Sequence, residues 1–420
     1  MDATLDLARL QFALTAGAHF LFVALTLGLA TVVACLQTRA TFSGNPAHRR
    51  MVRFWGQLYV INYAVGIVTG LVMEFQFGLS WSGLTRVAGN VFGAALAMET
   101  LVAFFVESTF LGLWIFGWDR LNRWAHLAVI WVVTLTAYAS ALWILVANGF
   151  LQNPVGYRRD ADGLRLTDAA AVLTNPSALT AFFHILAAAL LTAGVFLAGV
   201  SAYHLFRRTA DTAFYTSSLR IGVFLALPAA FLTAVSGGVQ FGVVADAQPM
   251  KIAAFSGDSA EMARLRAELT ARFGPGDYAP PEWARTAGVW MFALFGLLLF
   301  LLLGSALLAA SKRVVRGFRL WHLALMAAVP LPFAAMIAGW LFREGGRQPW
   351  VIYEVLTTAD AVSPVSPGAM RASLVTFTAL FGVLIAVNYW LLARAAARGP
   401  DAVALGRPAE EPRPEPAATY

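Results

Sequence analysis

Cysteine occurs once in 420 residues, at Cys35, which excludes any intramolecular disulfide, and no Cys-x-x-Cys-His run exists to attach a haem covalently. Charge is scarce as well. Asp, Glu, Lys and Arg make up 13% of the chain against 59% hydrophobic residues, with a mean hydropathy of +0.68. A soluble domain is about half apolar and a quarter charged, so this composition excludes one and indicates an integral membrane protein. No repeat of fixed period is present. The first apolar run lacks the basic flank of a signal peptide and is too long for its core, so it is read as a retained helix. The net charge of +7 forms no patch for nucleic acid, because the basic residues are sorted by loop.

What the chain does contain is apolar runs of about 20 residues, the length that crosses roughly 30 Å of hydrocarbon as helix. Nine are expected, near residues 12–37, 55–78, 91–117, 127–150, 180–206, 220–244, 288–310, 320–342 and 372–395. Arg39, Arg49, Arg50 and Arg53 follow the first run, Arg120 and Arg123 the third, Arg207 and Arg208 the fifth, and Lys312, Arg313, Arg316 and Arg319 the seventh. By the positive-inside rule these loops face the cytoplasm, which puts the N-terminus outside and the C-terminus inside. The fold expected is all-α: a membrane domain over 1–397, followed by a disordered cytoplasmic tail, 398–420, rich in Pro, Ala, Glu and Arg. One outer loop, about 245–287, is sizeable. Its Met262, Leu265, Leu269 and Phe273 recur at helical spacing and predict a short amphipathic helix over the outer surface.

Ionisable residues inside apolar runs are costly and mark functional sites by default. Glu99 and Glu107 share the run Val91 to Trp118, with Glu107 about 12 Å deeper at 1.5 Å of rise per residue. Ser108 adjoins Glu107, and Ser140 lies at comparable depth on the fourth helix, so hydroxyl and carboxylate groups are spaced to relay protons. The competing reading is packing glutamates paired with basic partners. His19, His184 and Met291 share an outer level on three helices. Histidine and methionine together can supply both axial ligands of a low-spin haem, although a lone methionine is nearly always core. At the same level Glu344 and Arg347 emerge from the eighth run, and Arg343 is the obvious neutralising neighbour for Glu344. Pro330 and Pro332 should kink that helix.

These residues sit in segments that closely resemble, end to end, subunit I of the cytochrome bd quinol oxidases. The segments are Arg9-Leu-Gln-Phe-Ala-Leu-Thr-Ala-Gly-Ala-His19-Phe, Met73-Glu-Phe-Gln-Phe-Gly78, Ala103-Phe-Phe-Val-Glu107-Ser-Thr-Phe110, Ser140-Ala-Leu-Trp-Ile-Leu-Val-Ala-Asn-Gly149 with Gln152-Asn-Pro154, and Gly345-Gly-Arg-Gln-Pro-Trp350. The resemblance implies a prokaryotic plasma-membrane subunit that oxidises quinol at its outer face and reduces dioxygen to water with cytoplasmic protons, building proton motive force without a pump. It implies two haems b and a third haem, d or b. His184 and Met291 match the ligands of a low-spin haem b; His19 and Glu344 match those of the two high-spin haems, in either order. Glu99 matches a carboxylate beside that pair, and Glu107, Ser108 and Ser140 match a proton route. Arg9, Trp340 and Arg347 match positions near the haems. A second subunit, subunit II, is implied as partner, with room for a small accessory subunit.

Gln248-Pro-Met-Lys251-Ile-Ala-Ala-Phe-Ser256 follows the family's quinol loop, here of the short type, so Gln248 and Lys251 are expected at the quinol. Ser256 stands where the family usually carries glutamate, the natural acceptor of a quinol proton. Val289 replaces a usual arginine and Gln57 a frequent lysine. Ser256 favours an alternative, a haem-binding paralogue that carries electrons or scaffolds the complex without oxidising quinol. A proton-coupled transporter built on Glu99 and Glu107 would need no haem.

Overall fold

The computed structural model describes residues 2–406. In chain order the helices are α1 (Asp2–Ser43), α2 (Pro46–Ser80), α3 (Ser82–Met98), a π-helical turn (Glu99–Phe104), α4 (Phe105–Phe116), α5 (Arg123–Gln152), α6 (Ala169–Leu173), α7 (Pro176–Arg207), α8 (Thr212–Ala247), α9 (Pro249–Ser256), α10 (Ser259–Phe273), α11 (Glu282–Ala310), α12 (Lys312–Gly317), α13 (Arg319–Ala328), α14 (Pro330–Gly345), α15 (Thr358–Ala361) and α16 (Pro367–Arg398). Two small antiparallel pairs, β1 (Tyr157–Asp160) with β2 (Gly163–Leu166) and β3 (Trp350–Ile352) with β4 (Leu356–Thr357), complete it. Among the described residues nine helical stretches are long and apolar enough to cross a membrane, one for each expected run. They outrun the apolar segments at both ends, because polar caps extend them: Asn45, Asn122, Asn175, Asp211 and Ser366 each accept from a backbone N–H of the first turn.

The third crossing is not a continuous α-helix. It passes through the π turn at Glu99–Phe104, an irregularity that is frequent at functional sites. The eighth breaks where its prolines predict: α13 ends at Ala328 and Pro330 opens α14.

Helix α7 is the most buried crossing and the centre of the bundle. Water offers no drive for helix association within a bilayer, so close packing of small residues supplies it. A Cβ at Gly194 of α7 would stand 2.7 Å from the Gly222 carbonyl oxygen of α8, so only glycine permits this approach.

One end of the bundle carries α9, α10 and both strand pairs. Leu265 and Leu269 of α10 are buried with Met250, Tyr278 and Trp350, and Met262 packs partly buried against them, while Phe273, the last residue of the expected apolar spacing, is 39% exposed. The opposite end carries the short basic connections and the start of the tail. That start departs from the disordered segment expected from 398. Pro400–Ala402 form a 3-10 turn, Val403 and Leu405 are buried, and the Gln57 Oε1 accepts from the Ala404 backbone N–H at 2.7 Å. Two apolar side chains in an otherwise polar tail suffice to dock it; the remainder of the tail, 407–420, lies outside the described residues.

Candidate functional site

The apolar core is hollow. A cavity of about 1170 Å³ runs between α1, α2, α5, α7, α8, α11 and α14, and His19, His184, Met291 and Glu344 all line it. Arg9, Trp340, Arg347, Glu99, Glu107, Ser140 and Lys251 line it too. Ser108 and Gln248, also expected at the site, lie behind its wall.

Both histidines are held by one ring nitrogen. His19 Nδ1 is 2.9 Å from Thr69 Oγ1, whose own hydrogen goes to the Gly66 carbonyl oxygen at 2.8 Å. Thr69 therefore accepts, Nδ1 carries the proton, and the Nε2 lone pair is left for a ligand. His184 repeats the arrangement, with Nδ1 3.1 Å from the Thr233 carbonyl oxygen. Fixing the tautomer through the far nitrogen is how proteins prepare a histidine for metal. Small residues stand beside the prospective ligands. A Cβ on Gly237 would lie 3.0 Å from His184 Cε1, and one on Gly339 2.8 Å from Met291 Sδ.

Glu344 is embedded in donors. Asn148 Nδ2 and Gln152 Nε2 donate to Oε1 at 2.8 and 3.1 Å, and an Arg347 amino group donates to Oε2 at 2.6 Å. The neutralising partner is thus Arg347; Arg343, expected from sequence adjacency, is 4.0 Å away and spends its Nε on Asn148 Oδ1. The cause is the turn that follows α14, in which the Arg347 backbone N–H donates to the Glu344 carbonyl oxygen at 3.3 Å and folds the Arg347 side chain back onto the carboxylate. Burial pulls the Arg347 guanidinium below its ordinary pKa, against the Glu344 charge. Its Nε and second amino group are buried without partners, as is Arg9 Nε. Unpaired buried guanidinium donors beside a cavity fit an anionic group such as a propionate. Trp340, between Phe12 and Phe20 at 5.9 and 5.7 Å, adds an aromatic wall.

Four separate single donors, orphaned guanidinium hydrogens and an apolar hollow fit haem, whose ring brings its own nitrogens. Among the described residues no three His, Cys, Asp or Glu converge on one point to hold a bare ion.

The carboxylates form a second group. Ser140 Oγ donates to Glu99 Oε1 at 2.7 Å, and Thr100 Oγ1 reaches Glu99 Oε2 at 3.2 Å and Glu74 at 2.8 Å. Glu74 and Thr100 were missed in the sequence, although Glu74 interrupts the second apolar run and the same criterion would have found it. Asn148 and Gln152 stand in the resembling segments but received no role there, as uncharged amides in a helix give no signal of their own. Glu107 is 6% exposed and makes no ion pair among the described residues.

The expected quinol residues turn inward. Gln248 is fully buried with its amide donating to Gln152, and Lys251 Nζ donates to the Arg343 carbonyl oxygen at 2.9 Å. Burial, reinforced by Arg343 and Arg347 and opposed by Glu344, pulls the Lys251 pKa well below its usual value. Ser256 is exposed and donates to the Ala253 carbonyl oxygen. Val289 is 53% exposed and stands off the cavity.

Residues 7–275 and 275–400 match the family described as cytochrome bd terminal oxidase subunit I. The chain belongs to this family. Cytochrome bd ubiquinol oxidase subunit 1 of Bacillus subtilis is 37% identical over 94% of this chain and 94% of its own. Cytochrome bd-II ubiquinol oxidase subunit 1 of Escherichia coli is 33% identical over 97% and 99%. The bd oxidase structure from Geobacillus thermodenitrificans superposes with a TM-score of 0.83 at 24% identity, covering 94% and 99%, and shows the same fold. This bd subunit I chain is accordingly a multi-pass membrane protein, and its family is one of haem-carrying oxidoreductases of the respiratory chain.

Proposed function

We propose that this chain is the catalytic subunit of a terminal oxidase that oxidises quinol and reduces dioxygen to water. The observation that carries this is the convergence of His19, His184, Met291 and Glu344 on one cavity in a bd subunit I fold. In this reading His184 and Met291 hold a low-spin haem b, while His19 and Glu344 hold two high-spin haems, b and d or both b. When bound, the haems supply the redox chemistry between quinol and dioxygen. The chain supplies the rest. Arg9 and Arg347 bind propionates, Lys251 and Gln248 brace the wall next to the quinol, and Glu107, Ser108, Ser140 and Glu99 pass protons from the cytoplasm.

The basic end of the bundle faces the cytoplasm, as the positive-inside rule requires, so the N-terminus lies outside. His19, in the first half of α1, is then near the outer face. Protons drawn from one face and electrons delivered at the other move charge across the bilayer, which makes the reaction electrogenic. Subunit II completes the complex, with a small accessory subunit as a further partner.

The paralogue alternative rested on Ser256. Relatives that match along nearly their whole length carry the name ubiquinol oxidase subunit, which disfavours it. The deciding experiment is haem extraction and quinol-driven oxygen uptake by the purified complex. Haem with uptake is the expected result; haem without uptake returns the paralogue, and no haem returns the transporter.

A further inference from the structure

Two tyrosines that the proposed proton route does not use stand beside it. Tyr59 and Tyr63 are one turn apart on α2, with ring centroids 5.8 Å from each other. Tyr59 is fully buried and Tyr63 is 6% exposed; the Tyr59 hydroxyl has no hydrogen-bond partner, while the Tyr63 hydroxyl reaches Glu107 and Ser108 only in loose geometry. Across from them lie Glu107 and Ser108 of α4. The buried Ser108 hydroxyl has no partner in good geometry other than this loose approach of Tyr63, and Glu107 is close enough to act electrostatically on both tyrosines.

Buried polar groups are almost always satisfied, by protein or by ordered water. The orphaned Tyr59 hydroxyl and the loosely met Tyr63 and Ser108 hydroxyls beside one carboxylate meet the requirement for such water, which needs two to four polar partners. Their order along α2 also has direction. Tyr59 is nearer the basic end of the bundle, and Tyr63, one turn deeper, lines the cavity together with Glu107, Glu99 and Ser140.

We propose that Tyr59 and Tyr63 hold a short chain of ordered water that delivers protons to Glu107, with Tyr63 the last hydroxyl before the carboxylate. Each step is balanced: a hydroxyl or water accepts one proton on one side and releases one on the other, and nothing is oxidised. The inference rests on the proton route proposed above.

Two measurements test it on the whole complex. Density maps that resolve water should show it within about 3.2 Å of the Tyr59, Tyr63 and Ser108 oxygens; a dry gap there overturns the proposal. The double variant Tyr59→Phe, Tyr63→Phe keeps both rings and removes only the hydroxyls. Its oxygen uptake should fall about tenfold, less than the roughly hundredfold or more of losing a direct general acid or base. Its solvent isotope effect should rise while the haem spectrum stays unchanged. Rate and isotope effect equal to the parent's overturn the proposal. Glu107→Gln separates the two levels: if that variant keeps full activity the route itself fails, whereas a slow Glu107→Gln beside an unaffected double variant removes the tyrosines alone.

Discussion

Ser140 of α5 donates its hydroxyl hydrogen to Glu99 across 2.7 Å, joining the fourth crossing to the π turn of the third. A carboxylate held this way within a membrane span has a fixed donor on one oxygen and keeps the other for exchange with Thr100 and Glu74. Replacing Ser140 with alanine should slow oxygen uptake severalfold and leave the haem complement intact, as checked by pigment extraction. Undiminished uptake would take Ser140 out of the route.

On the proposed assignment, the Met291→Leu variant should remove the thioether that would hold the low-spin haem while keeping the side-chain volume. The reduced-minus-oxidised spectrum is the readout, and an unchanged low-spin band would reject the thioether as ligand.

Arg347 and Glu344 form a buried pair at 2.6 Å. Removing one partner of such a pair leaves a buried charge and costs about 3 kcal/mol or more. Arg347→Leu should therefore lower the unfolding temperature of the detergent-solubilised complex. Arg347→Lys should recover part of that loss, because it restores the charge without the planar fork.

Lys251→Ala removes the bond to the Arg343 carbonyl oxygen and the cation over the Phe342 ring at 5.0 Å. The quinol concentration for half-maximal rate should rise, measured by oxygen uptake against quinol. No change would move the quinol elsewhere.

Val403 and Leu405 dock the tail against α2 and its neighbours, burying apolar surface. Truncating both to alanine should cost on the order of 2 kcal/mol. Thermal unfolding checks this, and a transition identical to the parent's would show that the docked tail adds nothing.

Much of this protein is written in one dimension. Apolar runs long enough to span a bilayer become helices because hydrocarbon leaves backbone groups no other partner, so the nine membrane-length helices among the described residues and their basic connections could be read directly. The proline break between α13 and α14 and the amphipathic α10 are equally local. That His19, His184, Met291 and Glu344 belong near one another was expected from the resemblance, and all four line the cavity. Tertiary structure alone decided which groups meet. The turn after α14 set Arg347 rather than Arg343 on Glu344, and helix packing brought Asn148 and Gln152 to the same carboxylate from another helix and turned Gln248 away from the cavity. Asn148 and Gln152 lie far from Glu344 in the chain, and their meeting depends on which face each helix turns to its neighbours, a property that hydropathy along the sequence does not encode.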